Sequence, residues 1–200
     1  MWAVAVSVLA SLTLTGEASN SRGQSRRAPS VVHSDKSCGF SITVPANWRV
    51  ESRQDPNNPG ACFVTVRPSN WEHATVVSDV ALPPYPISFA LADTSLETAA
   101  QKAKLQREHE GWVLRSGTVD DGQTANPLEG DGWNGLRWRA FAGNRHYRTG
   151  GNAGAGFSTM VVLGSARRSA SLCLTEDEFD GAFRDMVASL HFLPRRAKSR

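Results

Sequence analysis

The residues of this chain best suited to metal, redox or nucleophilic chemistry are three cysteines and five histidines, and their spacing argues against most of it. Cys38, Cys62 and Cys173 form no CxxC pair and have no histidine at ligand spacing, so a structural zinc site is not expected. His33, His73, His109, His146 and His191 are scattered, with no HExxH and no HxH to turn two ring nitrogens toward one metal. Ser158 in GFSTM lacks the second glycine of a nucleophile elbow. The run GGNAGAG at 150–156 lacks the Lys-Ser or Lys-Thr ending of a phosphate loop and leads into no helix, so it reads as a hairpin connection. The expectation is a protein with no catalytic residues, no metal and no cofactor.

Two groupings keep chemistry open. Asp120, Asp121, Glu129 and Asp131, with His146, could form the site of a hydrolase or metal-dependent enzyme if the fold gathers them. Arg137, Arg139 and Phe141 alternate along one strand opposite Leu136, Trp138 and Ala140, and Arg145, His146, Tyr147 and Arg148 follow at its turn. Arginine forks beside aromatic rings suit a carboxylate, sulfate or phosphate, or an acidic protein partner. Arg137, Arg139, Phe141, Arg145, Tyr147 and Arg148 are therefore the candidate anion- or partner-binding set, on a face expected to look toward water.

The elements that position these residues follow from periodicity. CGFSITVPANW at 38–48 is nearly rewritten as CFVTVRPSNW at 62–71. The alternation differs between the copies: Phe40, Ile42 and Val44 share a face in the first, whereas the valines lie opposite Phe63, Thr65 and Arg67 in the second. The phrases are thus two strands, each stopped by a Pro-x-Asn-Trp turn, and not a structural repeat. WRVESR runs back between them, which brings the starts of the first and third strands to the same end. That path favours a Cys38–Cys62 disulfide, worth about 3 kcal/mol on the chain-entropy model, although Cys173 in place of Cys38 stays open. Cys173, among apolar neighbours in SLCLT, otherwise reads as a buried inert thiol.

Further along, Thr94 with Glu97 forms a capping-box pattern before a stripe of Leu96, Ala99, Ala100 and Ala103, with Gly111 as the expected stop. A strand meander follows, broken by the polar loop DDGQTANPLEGDG. Thr175 and Glu178 repeat the capping pattern before Phe179, Ala182, Phe183, Met186, Val187 and Leu190, which predicts a C-terminal amphipathic helix laid on a sheet. The fold class is α+β, a largely antiparallel sheet flanked by helices.

The chain of 200 residues, 40% hydrophobic with a formal charge of +3, fits one domain with tails. Residues 1–18 lack charge apart from Glu17 and resemble a signal peptide with small residues before a cut after Ala18. Residues 19–36 are expected to be a disordered linker, 37–193 the domain and 194–200 a basic tail. The basic ends on a nearly neutral body do not make a nucleic-acid surface, and no membrane span is expected after signal cleavage. A secreted or periplasmic, cell-envelope location follows.

GFSITVPANW, the VTVRP strand, SLETAAQKA and EFDGAFRDMVASLHF together resemble the PsbP-like superfamily, which also contains the yeast Ran-release factor Mog. Its members open with F-x-I-x-x-P-x-x-W, matched over residues 40–48. They close with a Phe-anchored helix, Ser-Leu and an aromatic, matched by Phe179, Ser189, Leu190 and Phe192. The resemblance implies a central antiparallel sheet flanked by helices, used for docking rather than catalysis. Photosystem II members assist oxygen evolution, but no residue set for manganese, calcium or chloride is matched here. The expected function is an exported, non-enzymatic binding or assembly module of the cell envelope or extracellular space. Its alternatives are the enzyme above and an intracellular partner-binding domain.

Overall fold

The computed structural model describes residues 29–58, 60–71, 76–78, 86–109, 111–147, 152–175 and 177–194, with backbone alone for 76–78, 142–147 and 152–157. The first strand, β1 (Ser30–Asp35), pairs with β2 (Phe40–Pro45), whose other edge takes the short C-terminal strand β13 (His191–Phe192). A second, ten-stranded sheet contains β3 (Trp48–Gln54), β4 (Cys62–Pro68), β5 (Val76–Ser78), β6 (Ile87–Ala92), β7 (Leu105–Glu108), β8 (Gly111–Leu114), β9 (Thr124–Gly130), β10 (Trp133–Tyr147), β11 (Asn152–Gly164) and β12 (Ser169–Leu174). Its order is β3-β4-β6-β12-β11-β10-β9-β8-β7, with β5 added to β10. Every pairing in both sheets is antiparallel.

Two short helices cover the large sheet, α1 (Leu96–Lys102) on one face and α2 (Asp180–Ala188) on the other. The main core joins Phe40, Ile42 and Val44 of β2 to Val64 and Val66 of β4, Phe89 of β6, and Phe183, Met186 and Val187 of α2. The second core places Ala99 and Ala100 of α1 against Leu105, Leu114, Leu136 and Trp138. Because both faces are covered at its centre, β11 sends Val161 and Leu163 to the first core and Val162 to the second. Such strands read as continuous apolar runs, as VVL and SLCL do. Each fully buried Leu, Ile or Phe contributes about 1.5–3 kcal/mol.

The two similar phrases are β2 and β4, with their apolar faces in the phases expected: Cys62, Val64 and Val66 are buried and Phe63 is 55% exposed. Their closing tryptophans converge, since Trp48 and Trp71 both meet Phe179 edge-on, at 5.2 and 5.7 Å between ring centroids. The free edge of the large sheet at β3 carries Arg49, Glu51 and Arg53, charges that discourage pairing with another chain.

Several elements differ from expectation. The linker assigned to 19–36 ends early, because Ser30–Asp35 is a strand; it lies at an edge with Val32 72% exposed, so only its half-buried His33 and Asp35 mark an inward face. The part of that segment before residue 29, the signal-like stretch 1–18 and the tail 195–200 lie outside the described residues. The polar loop after β8 contains strand β9, whose Ala125 alone is deeply buried, leaving almost no alternation to read. Helix α1 is shorter than expected and is capped by Ser95, whose hydroxyl accepts from the Thr98 amide. Thr94 instead meets the Ser169 hydroxyl at 2.9 Å. The helix stops where Lys104 adopts φ 65°, and the chain leaves as β7. At the C-terminus a 3-10 turn (Asp177–Phe179) precedes α2, and no side chain caps that helix. Thr175 donates to the Pro86 carbonyl instead, and Leu190 lies past the helix end. Much of the glycine-rich 150–156 run belongs to β11, bulged against β10.

Candidate functional site

The Cys38–Cys62 disulfide is present, with 5.8 Å between the Cα atoms. Its geometry differs from a single up-down-up sheet. The turn at Ala46 and Asn47 passes the chain from the small sheet to the large one, so the bridge ties β4 to the β1–β2 turn across the two sheets. Both cysteines are at most 1% exposed, and Cys173 is buried outside the disulfide.

Above the bridge, Arg168 forms a latch that sequence reading did not single out. It stands in the β11–β12 turn and donates to the carbonyls of Cys38 at 2.7 Å, Gly39 at 2.6 Å and Leu193 at 2.9 Å. Its guanidinium also lies 5.4 Å from the Phe192 ring centroid and 3.5 Å from Asp93. Gly39, at φ 67°, has the left-handed backbone that closes the β1–β2 turn. Asp35 organises the same turn, accepting from the amides of Ser37 and Cys38 and the hydroxyls of Ser37 and Ser52. Burial pushes its carboxyl up, but the Ser37 and Ser52 hydroxyls and the Cys38 and Ser37 amides outweigh that and lower it to about 2.

The arginine face does not look out to water along its length. Arg137 pairs with Asp180 at 2.9 Å and Arg139 with Asp177 at 3.4 Å, so both reach the segment that opens α2. The segment half covers Arg137, whereas Arg139 stays 50% exposed as alternation expects, and an anion placed at either arginine competes with a carboxylate of the chain itself. Phe141 is partly buried and its amide donates to Asp120. The side chains of Arg145, His146 and Tyr147 are outside the described set, and Arg148 lies wholly outside it.

The carboxylates of the enzyme alternative do not converge. Asp120 accepts from the Thr118 and Ser116 hydroxyls and the Phe141 amide, which ties the 116–120 loop to β10. Burial raises its carboxyl, and those three donors, with the Asp120 amide, bring it below the ordinary range. Asp121 accepts from the Gly117 amide. Asp131 lies 3.6 Å from His191, and Glu129 borders a groove of about 210 Å³ beside Phe183. Among the described residues no three His, Cys, Asp or Glu groups gather as a metal site.

Two further depressions are present. One of about 510 Å³ runs between β1–β2 and α2, beside Thr43, Asp185 and Ser189. The other, about 610 Å³, lies between the start of α1, the β7–β8 pair and two hairpin turns, and is bordered by Glu97, Arg107, Trp112 and Asn134. These side chains come from four separate elements, so no local motif announces them.

The fold is thus a mostly antiparallel α+β architecture with two short helices. No protein-family model matches the chain, and no curated protein matches it. Among solved structures it is similar to cyanobacterial PsbP (CyanoP) from Synechocystis, at 14% identity and TM-score 0.39, covering 85% of this chain and 96% of that one. It is also similar to a protein from Bacteroides thetaiotaomicron, at 9% identity and TM-score 0.39 over 84% of this chain. The chain spans about half the length of that Bacteroides protein (49%).

Proposed function

We propose that this chain is an exported, non-enzymatic domain of PsbP-like fold that acts as a binding or assembly module of the cell envelope or extracellular space. The observation that carries the reading is the solvent-inaccessible Cys38–Cys62 bridge between the two sheets. Structural disulfides persist in oxidising compartments and are rare where glutathione keeps thiols reduced. The fold assignment draws support from the stretches that carry the family resemblance, because they are joined in space. Phe192 pairs with Phe40, the Thr43 amide donates to the Ser189 hydroxyl at 2.8 Å, and Phe179 meets Trp48. Asp120 and Asp121 hold loops, a role that favours a module over an enzyme.

An acidic partner belongs to this proposal, with Arg145, Tyr147 and Arg148 as the part of the cationic set to test first. The experiment has two arms. Fractionation of the native host, with intact mass and thiol alkylation, is expected to find the protein outside the cytoplasm, without residues 1–18 and with one disulfide. Retention of those residues with three reduced thiols would establish the intracellular alternative. Crosslinking capture from the envelope and secreted fractions is expected to recover a defined partner that is lost with Arg145→Ala/Arg148→Ala. A partner retained by that variant overturns the cationic surface and keeps the module.

A further inference from the structure

The cleft of about 610 Å³ lies within the span of small-molecule sites, about 300–1,000 Å³. Trp133 borders it but is only 5% exposed, with its indole N–H engaged with the Leu190 carbonyl at 2.8 Å, so it closes the wall and offers no donor. Gly130 and Gly164 let its walls pack closely, since a Cβ at Gly130 would meet the Trp133 ring and one at Gly164 would meet Leu96. Arg107 and Trp112 are opposite partners in the β7–β8 ladder, which sends both side chains to the same face of that ribbon. Glu97 and Arg107 are exposed, and among the described residues no hydrogen bond or ion pair within the chain engages the side chains of Glu97, Arg107 or Asn134. Three planar polar groups and a partly exposed indole thus surround one depression with their bonding capacity unused.

We propose that this cleft binds a short neutral oligosaccharide, one pyranose face lying on Trp112 and its hydroxyls held by Glu97, Arg107 and Asn134. The donor and acceptor inventory fits. A carboxylate accepts, a guanidinium donates as a fork and an amide does both, matching vicinal hydroxyls that donate and accept. The C–H face of a pyranose presents weakly positive hydrogens to the negative face of the indole. A small charged ligand is disfavoured because ion pairs in so open a cleft are screened by water and gain little. A saccharide can leave its remaining hydroxyls in solvent. The inference deepens the binding-module reading and rests on it.

Calorimetry and tryptophan fluorescence with chitotetraose and cellotetraose test the assignment on the purified, disulfide-intact chain. At least one is expected to bind, and Glu97→Gln and Arg107→Gln are each expected to weaken it about tenfold. Trp112→Ala is expected to abolish binding. Because Trp112 also packs against the second core, the two rim variants carry the test if this one fails to fold. Absence of binding by both oligosaccharides at millimolar concentration overturns the proposal, as does binding that both rim variants leave unchanged. The module reading fails separately: an oligosaccharide bound by a chain that remains cytoplasmic supports the cleft and removes export. A captured protein partner without saccharide binding removes the cleft alone.

Discussion

Arg168 donates a 2.7 Å hydrogen bond to the Cys38 carbonyl across 130 residues of chain, and so joins the β11–β12 turn to the small sheet at the disulfide. The same guanidinium also donates to the Leu193 carbonyl and shares the Gly39 carbonyl with the Leu193 amide. Leaving buried carbonyls without a donor costs about 1–3 kcal/mol each. Arg168→Ala is expected to lower stability in urea by about 2–4 kcal/mol. Arg168→Lys should recover only part of that, because an ammonium cannot reproduce the planar fork. A loss below about 0.5 kcal/mol for the alanine variant would show that the latch does not hold the sheets.

The disulfide beneath the latch closes a sequence separation of 24 residues between two sheets. Its replacement by Cys38→Ala/Cys62→Ala is expected to cost about 3 kcal/mol. Since both cysteines are buried, reduction in the native protein should proceed only through opening of the fold. Alkylation after dithiothreitol should therefore be slow in buffer and fast in urea. Equal rates would show that the bridge is reached from solvent.

Gly130 faces a tighter constraint than a turn glycine usually does. A Cβ there would lie 2.0 Å from Cζ2 of Trp133, whose ring is anchored by the Leu190 carbonyl. Gly130→Ala must therefore displace an indole from the main core, with an expected loss of about 1–3 kcal/mol and a shifted tryptophan emission. Unchanged emission and stability would mean that Trp133 has another place to go.

Legibility in the sequence followed local periodicity. The opposite phases of β2 and β4 were readable because alternation is a property of a few adjacent residues, whereas the Cys38–Cys62 pair was reached through a single-sheet path that the two sheets do not follow. The edge strand β1 and the polar β9 were not readable, since Val32 faces water and only Ala125 of β9 is deeply buried. Alternation on β10 separated Arg137 and Arg139 from Trp138 correctly, yet it could not reveal that carboxylates some forty residues later pair with both arginines and that α2 half covers Arg137. The same limit hid Arg168, which is locally indistinguishable from Arg167, and the cleft side chains, which meet only through tertiary packing.

Asp35 gives the fold an acid-sensitive point. Its carboxyl is lowered from 3.8 to about 2 in the folded chain. A depressed folded value means that the native state favours the ionised form, so the contribution is present above the unfolded value. It is lost as pH falls from about 4 toward about 2. Urea midpoints measured across that window should drop in the wild type, and Asp35→Asn should be weaker at neutral pH with a shallower drop. Asp120, lowered in the same direction, leaves a residual slope. Identical slopes for wild type and Asp35→Asn would remove Asp35 as the source.

Arg137 and Asp180 decide whether the cationic face is a structural joint. Their side chains are 33% and 32% exposed and 2.9 Å apart, and Arg184 also reaches Asp180 at 3.0 Å. A pair so placed is partly screened, and its coupling lies nearer the surface range than the buried one. The double-mutant cycle of Arg137→Ala with Asp180→Ala is expected to give about 0.5–1 kcal/mol of coupling in urea unfolding. Asp180→Ala by itself frees the Arg137 fork, which makes that variant, and not the wild type, the form expected to gain stability from added phosphate. Additive single mutants, together with stabilisation of the wild type by phosphate, would reverse the assignment. Arg137 would then be a ligand group that Asp180 merely neighbours, and α2 would be held by Phe183, Met186 and Val187 and the contacts at its ends without that ion pair.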